Sequence, residues 1–163
     1  MNTRLLQDIG VRIAGGLPTL AFGGGMLLLL EKLQDTLGRT SELAGVIPAR
    51  GEVLWDLEDP AYVEVSSLRD NVLLAKGDKV MGWVLSEVEL SGDGQMWDPP
   101  LALRGVGTHK ERREAFGHES ILCSPAMIHL AAKRDAAARF LERCKAYKVA
   151  EVQPPQGNLA AGQ

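Results

Sequence analysis

KVMGWVLSEVEL, residues 79–90, is the longest strand candidate in the chain. Val80, Val84, Val88 and Leu90 share one parity, and Met81, Trp83 and Leu85 share the other, which then turns to Glu87 and Glu89. Successive side chains of a strand point to opposite faces, so this pattern predicts one long strand, buried on both faces at its start and on one face at its end. The same period runs back toward Val46. Val53, Trp55 and Leu57 alternate with Glu52 and Asp56, and beyond a Glu58-Asp59-Pro60 turn Val63 and Val65 alternate with Tyr62 and Glu64. Asn71–Ala75 is a short apolar run closed by Lys76-Gly77-Asp78. Short strands with turns roughly every 8–12 residues predict an α+β chain built on a small antiparallel β-barrel or sandwich of the OB or SH3-like kind. Its expected core is Val53, Trp55, Val63, Val65, Val80, Val84 and Val88.

Toward the N-terminus the period changes. Residues 3–14, TRLLQDIGVRIA, place Leu5, Leu6, Ile9 and Ile13 at helical spacing, which predicts a short amphipathic helix. Gly15-Gly16-Leu17-Pro18 interrupts, Thr19–Phe22 is apolar, Gly23-Gly24-Gly25 interrupts again, and Met26–Leu37 reads as a second helix stopped by Gly38. Ile13–Leu30 is 18 residues without a charge, the lower limit for crossing a bilayer core. Five of those residues are glycine and one is proline, so the preferred reading is two short helices packed on a core, with membrane contact through residues 13–30 as the alternative.

Toward the C-terminus, Ser91–Gly107 reads as a long irregular loop. Thr108-His109-Lys110-Glu111 has the spacing of a capping box and predicts a charged helix to Phe116, stopped by Gly117. Ser124 and Pro125 then open a predicted helix running to about Tyr147, with Met127, Leu130, Ala131, Ala138, Leu141 and Cys144 on one face. Val152–Gln163, uncharged and with two prolines, reads as an extended tail. The expected organisation is a glycine-rich hydrophobic segment over 1–40, a β-rich domain with its C-terminal helix over 41–151, and the tail over 152–163.

The 163 residues carry a net charge of -3, with 45% hydrophobic and 24% charged residues, an average balance for a folded domain. Without a basic excess, nucleic acid is set aside as a partner. If Cys123 and Cys144 lie on one straight helix they are on the order of 30 Å apart, too far for a disulfide. Free thiols favour a reducing compartment or a virion, with membrane association as the alternative.

No constellation of catalytic, cofactor-binding or metal-binding residues emerges. His118, Cys123 and His129 would suit a thiol nucleophile with its base, or zinc together with Cys144, but their spacing matches neither pattern. Gly23-Gly24-Gly25 resembles a phosphate loop in position only, since the Lys and Ser/Thr of that motif are missing. Lys110 joins Arg104, Arg112 and Arg113 in a basic cluster, interleaved with Glu111 and Glu114. Asp56, Glu58 and Asp59 read as a turn, not a calcium loop. The candidate interaction residues are therefore Leu20, Phe22, Gly23, Gly24, Gly25, Met26 and Leu28, with Arg104, Arg112 and Arg113. These point to a non-enzymatic assembly subunit of a virion-like or secretion-type particle. It would embed its N-terminal segment and tail in other protein subunits, as a homo- or hetero-oligomer. The alternatives are a single-pass membrane-anchored β-barrel binding module and a small thiol enzyme using Cys123.

Overall fold

The computed structural model describes residues 2–55, 60–84, 88–92, 98–108 and 110–152, the side chains of 149–152 excepted. The Glu58-Asp59 turn, the middle of the predicted long strand at 85–87, His109 of the capping box and nearly all of the tail lie outside the described residues.

The chain is α+β and arranges its strands in three sheets. α1 (Thr3–Ala14) is capped by Asn2, whose side chain accepts from the Leu5 N–H, and it buries Leu6 and Ile13. β1 (Thr19–Phe22) leads into the single turn α2 (Gly24–Leu27), followed by β2 (Leu30–Gln34) and β3 (Thr40–Glu42). β4 (Ile47–Val53), β5 (Ala61–Ser67), β6 (Lys79–Val84) and β7 (Val88–Gly92) make up the middle of the chain. β8 (Leu101–Gly105), β9 (Glu111–Glu114), β10 (Phe116–His118), β11 (Ile121–Ser124) and β12 (Ala126–Ile128) precede the final helix α3 (Arg134–Val152). The sheets run β12-β6-β5-β8-β9, β3-β2-β4-β7 and β1-β11-β10. The first is antiparallel throughout, whereas β2 with β4 and β1 with β11 are parallel pairs.

Alternation works as expected in β5 and β6: Val63, Val65 and Ser67 are buried on one strand, and Val80, Gly82 and Val84 on the next. The four valines join Val72–Leu74, Leu101, Leu103, Leu122 and Ala126 in the larger core, against which Phe140 of α3 packs. A second cluster gathers Ile13, Ala21, Met26, Leu29, Leu30, Ile47, Ala49, Ile121 and Cys123. Gly82 allows β12 to approach, because a Cβ there would lie 2.9 Å from the Met127 carbonyl oxygen.

Several expectations are corrected. No closed barrel forms among the described residues. The predicted long strand is split, β6 and β7 belonging to different sheets, so its shared parity does not mark one buried face. Trp55, expected in the core, is 76% exposed, and Val53 and Val88 are only half-buried. Met26–Leu37 is not a helix: after one turn Leu30–Gln34 pairs with β3 and β4, because backbone partners on both sides outweigh local propensity. Residues 111–114 form an edge strand against β8 in place of the capped helix. The last helix starts at Arg134, ten residues after the predicted cap, since Ser124 and Pro125 lie within or beside the strands β11 and β12. Cys123 is therefore on a strand and Cys144 on α3, both as free thiols. Ile13–Leu30 is shared among α1, β1, α2 and the start of β2, and no helix among the described residues is long and apolar enough to cross a membrane.

Candidate functional site

β1 is held in register by β11, Phe22 opposite Ser124, and the chain then turns sharply at Gly23. Gly23 has φ 51° and ψ -126°, a backbone conformation closed to most L-residues. Its N–H donates to the Ser124 carbonyl at 3.0 Å, and its own carbonyl accepts from the Met26 N–H at 3.0 Å to open α2. A strand, a strained turn residue and a helix in succession form the layout on which some hydrolase folds raise a nucleophile. Here glycine stands at the apex, so the turn presents backbone alone. A Cβ at Gly23 would meet the Met127 side chain at 3.6 Å, an ordinary contact, and around Gly24 and Gly25 there is open space.

That space opens into a cavity of about 620 Å³ where the three sheets meet. Gly24, Met26, Ile47–Ala49, Leu90, Trp83 and Met127 are among the residues that line it. Trp83 lies between Tyr62 and Met127 in the strand register, giving an apolar row along the sheet surface that leads into the cavity. Arg112, Arg113 and Glu114 are the charged residues among its lining. Arg112 Nε forms an ion pair with Glu114 Oε1 at 2.6 Å, while Glu114 Oε2 is buried without a hydrogen-bond partner among the described residues. Burial pushes the Glu114 carboxyl above its ordinary range, against a smaller opposing pull from Arg112. Next to it Ala115 has φ 80°, rare for a residue with a side chain, where the chain leaves β9 for β10.

Of the candidate interaction residues, the structure brings Gly23, Gly24, Met26, Arg112 and Arg113 to this cavity. Leu20 and Phe22 pack against the larger core instead. Gly25 faces open space and Leu28 is 50% exposed. Arg104 is engaged elsewhere, at 2.6 Å from Glu64, whose carboxyl is held low first by Lys79 and then by Arg104. Trp83, Met127 and Ile47–Ala49 belong to the site without having been singled out by sequence. The thiol grouping does not assemble: Cys123 is buried opposite Phe116, and burial pushes its thiol up to about 12. His118 and His129 are exposed, and no group of three or more His, Cys, Asp or Glu suited to a metal occurs among the described residues.

No family model matches the chain. Curated relatives do. Cobyrinate a,c-diamide synthase of Caldanaerobacter subterraneus subsp. tengcongensis is 26% identical over 146 residues, 90% of this chain and 32% of the relative. The protein of the same name from Thermoplasma volcanium is 28% identical over 143 residues, 86% of this chain and 30% of the relative. Hydrogenobyrinate a,c-diamide synthase of Pseudomonas aeruginosa is 39% identical over 64 residues, 39% of this chain and 15% of the relative. These are names of enzymes. They overturn the expectation of a non-enzymatic virion or secretion-particle subunit, which rested on the hydrophobic segment now seen folded into α1, β1 and α2. The chain spans about a third of the length of the first two relatives.

Proposed function

We infer that this chain serves an amide-forming enzyme of the kind its relatives are named for, as the portion that carries the cavity. The extent of the match carries this reading: similarity to the cobyrinate a,c-diamide synthase of Caldanaerobacter subterraneus subsp. tengcongensis runs over 90% of the chain. The cavity supports it, since an apolar hollow with a few convergent polar groups and a carboxyl displaced by burial is the usual form of a small-molecule site. Because glycine occupies the apex of the turn at residue 23, the reading assigns bond-making groups to other positions than this turn. Removing the chain's gene from its host and measuring cobyrinate and its a,c-diamide by mass spectrometry tests the assignment. The acid should accumulate at the expense of the diamide, with recovery when the chain is restored. An unchanged ratio would sink it.

A further inference from the structure

We propose that the cavity binds an amphipathic acid, with its apolar body against Trp83, Leu90 and Met127 and its carboxylate on the outer edge of the Arg112 guanidinium. Arg112 and Glu114 are two apart on β9, so their side chains share a face, as their partners Leu103 and Leu101 on β8 also do. The ion pair from Nε to Oε1 at 2.6 Å ties the inner side of the guanidinium to Glu114. The terminal nitrogens of Arg112 have no hydrogen-bond or ion-pair partner among the described residues, and the side chain is 49% exposed. A guanidinium held from behind with its terminal fork free has the geometry for bidentate recognition of a carboxylate.

Charge points the same way. The lining carries two arginines against one glutamate, and that carboxyl is half-withdrawn from solvent, with one oxygen buried. A neutral apolar ligand would fill the hollow without using the fork, and a cation would be repelled by it. The lining supplies the rest of the selection: Trp83 offers a ring face, Leu90 and Met127 offer aliphatic and thioether surface, and Gly24, with open space where a Cβ would stand, leaves room for the ligand body. The proposal uses the same cavity as the functional reading above but does not depend on the identity of its substrate.

The test compares 2-naphthoate with 2-naphthamide, probes of one shape that differ in charge, by isothermal titration against the full chain. The acid should bind at least about tenfold more tightly, the difference expected when a charged hydrogen bond replaces a neutral one. Arg112→Gln should remove the preference while leaving amide binding unchanged, and Arg112→Lys, which keeps the charge but loses the fork, should restore part of it. Trp83→Ala should weaken both probes alike. Equal binding of acid and amide, no binding of either, or a preference that survives Arg112→Gln would each overturn the proposal. Should the preference hold while the host's cobyrinate-to-diamide ratio ignores the chain, the synthase reading falls and the acid site stands.

Discussion

At position 23 conformation, not space, demands glycine. Gly23→Ala would meet only the Met127 side chain at 3.6 Å, yet it places a Cβ on a backbone with φ 51°. The expected loss is about 1–2 kcal/mol, read by urea unfolding. Gly24→Ala, with open space around it and negative φ, should be neutral or slightly stabilising. Glu114 carries the opposite kind of strain, one of charge. Its folded-state carboxyl is raised, so the native state holds the proton more firmly than the unfolded chain does. Stability from this group is therefore highest below the ordinary carboxylate range and is lost as pH rises through the raised value. Glu114→Gln should remove that dependence, so the melting-temperature difference between mutant and wild type should widen in the mutant's favour from pH 4 to pH 7. A difference independent of pH would show that burial does not govern Glu114. Cys123, pushed up to about 12, should resist iodoacetamide in the native state, while Cys144 on the half-buried side of α3 is alkylated first.

Among the elements, the segment after β5 shows how one polar side chain can order an apolar loop. The buried Asn71 accepts from the Leu73 and Leu74 N–H groups at 3.0 and 2.8 Å and donates to Ser67 Oγ at 2.9 Å. Its carbonyl receives Arg139 Nε at 3.1 Å, tying α3 to the loop. Asn71→Ala leaves two buried donors unmet and should cost on the order of 2–4 kcal/mol in chemical unfolding. What was legible in the sequence follows from strand length. β5 and β6 are six or seven residues long, enough for alternation to show, and Val63, Val65, Val80 and Val84 were readable as core. β10 and β12 have three residues each and β1 four, too short for any period, and they exist because β11 and β6 offer them backbone partners. Pairing of distant segments also hid the site. Gly23, Gly24, Arg112 and Arg113 stood out by composition, whereas Trp83 looks like an ordinary alternating residue and Met127 like part of a helix face until β12 lies beside β6.

Across the whole molecule, the first 36 residues are part of the sheets, not an appendage to them. β1 is the parallel partner of β11, and β2 lies between β3 and β4. A chain beginning at residue 37 would bare Ile121 and Cys123 on one side and Ile47 and Ala49 on the other, all of the second core cluster. We expect such a fragment to show no cooperative thermal transition, and a sharp melt would contradict the shared core. The cavity adds a consequence at the same scale. Because its walls come from all three sheets, an occupant would touch parts of the protein that otherwise meet along only a few seams. Anything that binds the native state alone adds RT ln(1 + [L]/Kd) to its stability, and an occupant at this junction would spread that gain over every sheet at once. Amide hydrogens in β4, β6 and β11 should then slow their exchange together, turning subunits of structure that open separately into one that opens as a whole.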